Sequence, residues 1–183
     1  MADFFWTNAK ADPKRAFRFY IEVGNAGSPT ELPVWTIKTA TKPKASVSSI
    51  EHSFLNHTFK YPGRVTWDNI TLTLVDPISP QVAQRALNML RGSGYQYPTE
   101  DAQLQAGRGK TISKQQAVST IGRCFIQQTD ANGKVIERWS LNNPWIVSID
   151  WGGTLDYTSD ELTEISIELA YDWAELETYT ATA

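Results

Sequence analysis

The chain has 183 residues, enough for one domain with a sizeable core and short for two. Aromatics at 11% and nine prolines exclude a disordered or fibrous chain, and the single Cys124 excludes an internal disulfide framework and cannot by itself suggest a zinc site. The formal net charge of −3 conceals +6 over residues 1–138 and −9 over residues 139–183, a split that suits self-association and excludes little else.

The opening stretch, MADFFWTNAKADPKR, has no basic segment followed by an apolar run, so the expectation is a soluble intracellular product without a secretory signal. The Asn-x-Thr patterns at 56–58 and 69–71 are then chance matches to a glycosylation site. No run approaches the ~18 consecutive apolar residues of a membrane-spanning helix.

Residues 16–23, AFRFYIEV, alternate and predict a strand; 25–29, NAGSP, predict a turn, and 32–40 resume the alternation. Pro43 interrupts it, because proline has no donor for a central ladder. Residues 41–61 read as a long extended hairpin or arm, poor in core residues. Pro62–Gly63 predicts a turn into a long strand over 64–76, with Ile70, Leu72 and Leu74 facing inward.

One principal helix is predicted over 79–91: Ser79 as N-cap, Pro80 in the first position, and a stripe of Ala83, Ala86, Leu87 and Leu90. Gly92 and Gly94 end it. Residues 93–119 read as a polar insertion with a short helical turn near 113–119. TDANG at 129–133 predicts a hairpin turn with Gly133 at positive φ. Strands follow over 144–151 and 161–173, and 174–183 reads as a C-terminal tail. The inventory predicts one mainly β domain with a core over 16–173: an antiparallel β-sandwich or small barrel with one flanking helix.

Catalytic motifs are missing from this inventory. AGRGKT at 106–111 lacks a phosphate loop's first glycine, since Leu104 stands there. His52 and His57 are five apart in a strand-like region, which sets them on opposite sides and excludes a metal pair. Glu164 and Glu168 share a strand face but lie about 13 Å apart along it, beyond the roughly 5–10 Å of a glycosidase pair. Neither a nucleophile elbow nor a Ser-His-Asp order is present. The expectation is no enzyme, no metal and no cofactor. Trp35, Trp67, Trp139, Trp145, Trp151 and Trp173 fall in or at the ends of strands, where core or subunit-interface packing is the default.

The stretch ELTEISIELAYDW, 161–173, alternates cleanly: Ile165, Ile167, Leu169, Tyr171 and Trp173 on one side, Glu164, Ser166, Glu168, Ala170 and Asp172 on the other. The wet side carries acids and no base.

Two segments carry a resemblance beyond pattern. FKYPGRVTWDNITLTLVD (59–76) and NPWIVSIDWGGTLDYTSDELTEISIELAYDW (143–173) resemble the signature regions of the tail-tube protein family of bacteriophages, above all those with contractile tails. The matching residues are Gly63, Trp67, Asp68 and Thr71, then Asp150 and Trp151, then Tyr171, Asp172 and Trp173. The resemblance implies hexameric rings that stack into a tube through which genomic DNA passes without specific binding. Tubes of contractile bacteriocins and of type VI secretion share that architecture. It implies tail sheath, baseplate or tube-initiator and tail-terminator proteins as partners, and a virion protein assembled in the host cytoplasm.

On this reading Asp150, Glu164, Glu168 and Asp172 face the lumen, where acids repel phosphate. The segment bearing Lys42, Lys44, Glu51, His52, Phe54, His57 and Lys60 makes ring-to-ring contacts. The insertion at 93–119 and the tail leave a baseplate or tube-end protein, or the inner tube of a phage-like injection system, as alternatives. From a different class, a monomeric β-sandwich carbohydrate-binding module with exposed tryptophans also fits the composition.

Overall fold

The alternating segments become ten strands and two α-helices among the described residues of the computed structural model, which are 13–99 and 109–179. In chain order these are β1 (Phe19–Val23), a 3-10 turn (Val34–Thr36), β2 (Ile37–Ala40), β3 (Ala45–Phe54), β4 (His57–Trp67) and β5 (Ile70–Val75). Then come α1 (Val82–Gly92), α2 (Lys114–Ile121), β6 (Cys124–Thr129), β7 (Val135–Asn142), β8 (Trp145–Asp150), β9 (Glu164–Ala170) and β10 (Trp173–Thr178).

They form two four-stranded antiparallel sheets, β1-β6-β7-β10 and β2-β5-β9-β8, plus the separate β3-β4 pair. The sandwich reading holds, and no closed barrel forms. One core lies between the sheets. Ile70, Leu72 and Leu74 of β5 and Ile165, Ile167 and Leu169 of β9 meet Ile21, Ile126 and Leu141 from the other sheet. Each fully buried aliphatic side chain contributes roughly 1.5–3 kcal/mol of transfer free energy. Both helices join the same core, α1 through Val82, Ala86 and Met89 and α2 through Ile121.

The structure corrects several expectations. Helix α1 begins at Val82, because its cap is Asp76 rather than Ser79: Asp76 Oδ1 accepts from the backbone N–H groups of Val82 (3.0 Å) and Ala83 (3.1 Å). Its buried stripe is therefore Val82, Ala86 and Met89, and Leu87 and Leu90 are only half-buried. Replacing Asp76 with Ala is expected to cost about 1 kcal/mol, the usual worth of a cap. At this chain size that lowers Tm by about 2–4 °C; an unchanged melting curve would refute the cap.

Pro62–Gly63 makes no turn. Both lie inside β4, where Gly63 and Arg64 form a bulge opposite Ser48. A Cβ on Gly63 would fall 2.3 Å from Ser48 Oγ, which accepts from the Arg64 N–H at 2.9 Å. The predicted strand over 64–76 is thus two, broken at Asp68–Asn69. The chain reverses instead at Leu55 and Asn56, with Leu55 at φ 52°.

The predicted C-terminal tail supplies β10, which pairs with β7 from Trp173↔Asn142 to Thr178↔Glu137. The polar insertion contains a second helix, α2, capped by Ser113, whose side chain accepts from the Gln116 N–H. Its residues 100–108, with the first half of the AGRGKT stretch, lie outside the described residues.

Candidate assembly surfaces

Three surfaces bear on assembly: the outer face of the β2-β5-β9-β8 sheet, its two edges, and the β3-β4 hairpin. On the outer face Glu164, Ser166 and Glu168 of β9 lie opposite Val75, Thr73 and Thr71 of β5, with Ser148 and Asp150 of β8 on the other side. Three of the four acids expected in a lumen, Asp150, Glu164 and Glu168, therefore share one face. Asp172 lies past the end of β9, beside α2.

These acids do have partners, most of them from distant parts of the chain. Glu164 pairs with Lys38, which holds the Lys38 ammonium above its ordinary range. Glu168 accepts from Asn69 Nδ2 (2.8 Å) and Ser148 Oγ (3.0 Å). These bonds, that of Asn69 foremost, hold its carboxyl below the ordinary range. Asp172 accepts from Lys114 Nζ (2.7 Å) and Asn143 Nδ2 (2.8 Å), with the same effect, that of Lys114 the larger. Asp150 accepts from the Gly152 N–H at 3.2 Å. Reading β9 alone misses Lys38, Asn69, Lys114 and Asn143, because nothing local to 161–173 signals them.

The edges of this sheet are β2 and β8, each hydrogen-bonded on one side only. Such edges are templates for pairing with another chain unless something covers them.

The hairpin stands apart from both sheets, and nearly every residue on it is exposed. Its register pairs Ile50 with Tyr61, His52 with Phe59 and Phe54 with His57. Directly opposed residues share a face, as do residues two apart on one strand. Ile50, Phe54, Phe59 and Tyr61 therefore form one apolar face, and both histidines sit on it. That corrects the expectation of opposite sides: counting parity along one strand ignores the reversal at Leu55–Asn56. The reverse face is polar, with Glu51 paired to Lys60 (3.4 Å) and Ser53 near Thr58 (3.3 Å).

The hairpin's root explains most of the resemblance residues. Trp67 packs on Tyr171 with ring centroids 6.0 Å apart. Asp68 pairs with Lys44 (2.8 Å), and its N–H donates to the Lys44 carbonyl (2.9 Å). The Thr71 N–H donates to Thr41 Oγ1 (2.8 Å). Together they fasten the last turn of the hairpin to β5 and the end of β9. Lys42 is also tied within the chain, to Gln128 Oε1 (2.8 Å) and Glu137.

Tryptophan placement departs from the core default. Among the described residues, Trp67 and Trp139 pack against the core, and Trp35, Trp145, Trp151 and Trp173 are exposed. Trp151 lines a shallow apolar groove with Leu87, Leu90, Tyr95 and Tyr97. The Trp173 indole donates to Glu175 (2.8 Å).

No protein-family model and no curated protein matches the chain, but solved structures do. A chain of the sheath–tube complex of an extracellular contractile injection system, PVC, in its extended state is 18% identical with a TM-score of 0.66, covering 97% of this chain and 100% of that one. A chain of the tube-terminating cap of the anti-feeding prophage is 20% identical with a TM-score of 0.64, covering 94% and 95%. A chain of the SPP1 tail tube is 11% identical with a TM-score of 0.52, covering 92% and 81%. The chain has the fold of these tail-tube and injection-system components over nearly its whole length.

Proposed function

We propose that the chain is the structural subunit of a tail-type tube, forming hexameric rings that stack into a conduit. The observation that carries this reading is the β2-β5-β9-β8 sheet, open at both edges and lined outside by threonine, serine and acids. Pairing β2 of one copy with β8 of the next continues the sheet around a ring and removes both edges at once. A head-to-tail contact of that kind closes when its rotation permits. The likeness to components of sheath–tube, cap and tail-tube structures supports the same architecture.

In such a ring Asp150, Glu164 and Glu168 face the lumen, with Asp172 at its rim. Their charge keeps a passing polyanion from adhering, the reverse of the counterion release that drives DNA binding. The hairpin, with Glu51, His52, Phe54, His57 and Lys60 along its length and Lys42 and Lys44 at its root, carries the contact to the next ring. A sheath, a baseplate initiator and a terminator are the partners this role requires. The cargo of a phage tail is its genome, and the virion is then where the protein resides after assembly in the host cytoplasm.

The matched cap chain favours a second version, a tube-end or baseplate ring of the same fold, in a phage tail or a phage-like injection system. Negative-stain electron microscopy of the purified chain at rising concentration tests the proposal. Rings or tubes with a central hole are expected, isolated rings marking the tube-end version. Uniform small monomers at every concentration would sink both.

A further inference from the structure

The loop joining β8 to β9, residues 151–163, is the other large feature that stands clear of the core. It carries Asp156, Asp160 and Glu161 without a single base, and exposes Leu155, Tyr157 and Leu162. Asp156 stiffens its crown by accepting from the backbone N–H and the hydroxyl of Thr158, each at 2.9 Å. Between the loop and Lys38 lies an open cleft of about 1270 Å³. That exceeds the ~300–1,000 Å³ typical of small-molecule pockets and suits a piece of polypeptide.

The hairpin has the opposite character. Residues 45–67 hold Lys60 and Arg64 against Glu51, and among the described residues Arg64 makes no ion pair. Its apolar face of Ile50, Phe54, Phe59 and Tyr61 is open to solvent. A face of that kind on a long two-stranded ribbon is a liability for a free monomer. At roughly 3.4 Å per residue the ten-residue β3 reaches about 34 Å from its root, far enough to leave its own subunit.

We infer that the hairpin of one copy seats its apolar face in the cleft beneath the β8-β9 loop of a second copy. Phe54 and Leu55 at the tip then meet Leu155, Tyr157 and Leu162. The basic balance of the hairpin, Lys60 and Arg64 against Glu51, complements the acids of the loop, and two unpartnered apolar surfaces are covered in one contact. This deepens the tube reading and rests on it, naming the surface that receives the hairpin.

Cross-linking tests the contact. Phe54→Cys and Leu155→Cys are introduced together, and assembled material is treated with a mild oxidant and run on a non-reducing gel. The native Cys124 does not compete, being buried with its thiol pushed up to about 12 by burial. The expected result is a ladder of covalent multimers in which more than half of the chains are linked. Phe54→Cys paired with Ile78→Cys, another exposed site, should give none. Wild-type rings or tubes with no ladder from the Phe54/Leu155 pair would overturn the contact and leave the tube reading standing. So would a ladder from Phe54→Cys alone, which would mean that hairpins meet each other. A wild-type chain that stays monomeric by microscopy overturns the tube reading and this contact together.

Discussion

Excising residues 48–64 and joining Val47 to Val65 through an Asn-Gly turn should leave Tm within about 3 °C of wild type while abolishing the stacking of rings. The first half follows from exposure: none of the excised side chains belongs to the buried core. A lone two-stranded hairpin is also marginally stable in its own right, so its removal withdraws little cooperative free energy. At this size 3 °C corresponds to about 1 kcal/mol. Val47 and Val65 are directly opposed, so a two-residue turn can bridge them without changing the register beneath. The root contacts of Trp67 with Tyr171 and of Lys44 with Asp68 lie below the cut and persist. The second half follows from the hairpin being, among the described residues, the one strand pair outside both four-stranded sheets. Sedimentation and negative-stain images read both halves: single rings without tubes are expected. Tubes of normal length would remove the hairpin from the stacking contact, and a loss of 10 °C would show it to be part of the fold.

Much of the fold was legible because its central strands obey period two. β5 and β9 bury alternate residues, Ile70, Leu72 and Leu74 against Ile165, Ile167 and Leu169, and that pattern is readable without a partner. β10 was not legible for the converse reason. It is an edge strand with Ala174 as its one buried residue, so no alternation marks it. Pro62–Gly63 misleads because a bulge and a turn share one vocabulary: both need a residue without Cβ, here to let Ser48 approach. The true reversal uses Leu55 at positive φ, a residue type that carries no turn signal. Asp76 caps α1 from six residues before Val82, across a loop whose path only the folded chain reveals.

The assembly surfaces divide the same way. Glu164 and Glu168 could be placed on one face from sequence, since parity along one strand decides it, whereas Asp150 on β8 joins that face only through the β8-β9 register. Their partners Lys38 and Asn69 come from other strands or their ends, and Lys114 of Asp172 from a helix within the polar insertion. The aromatic motif residues were recognisable only as a resemblance. Their physical task, clamping the hairpin root through Trp67 and Tyr171, depends on two segments about a hundred residues apart meeting at one corner.

Glu137 presents the second large expected effect, and sequence reading passed over it entirely. It is the third residue of β7, next to Arg138, yet only 6% of it is exposed. Two ammonium groups reach it: Lys42, just after β2 in the opposite sheet, at 2.5 Å, and Lys14, ahead of β1. The Trp139 indole donates to the same carboxylate at 2.8 Å. Burial works against ionisation here, but the hydrogen bonds from Lys14, Lys42 and Trp139 outweigh it and hold the carboxyl at about 2. The group thus clasps the two sheets at the mouth of an apolar cavity of about 390 Å³ lined by Phe19, Ala40, Ile126 and Trp139. Glu137→Gln keeps the shape and removes the charge, leaving two ammonium groups facing a neutral amide. Breaking a fully buried pair costs about 3–5 kcal/mol. Both lysines are about half exposed, and solvent screening reduces that to about 1–3 kcal/mol, a fall in Tm of about 3–10 °C at neutral pH. The pH dependence has a definite sign. An unfolded glutamate titrates near 4.3, so the folded group binds its proton less readily than the unfolded one. Its contribution is whole above about pH 5, falls as pH drops, and is gone once pH passes below about 2. The melting gap between wild type and Glu137→Gln should therefore be widest at neutral pH and narrow steadily between pH 5 and 2. A gap that held constant to pH 2.5, or one below 1 °C at pH 7, would show that the carboxylate fills space there without clasping the sheets.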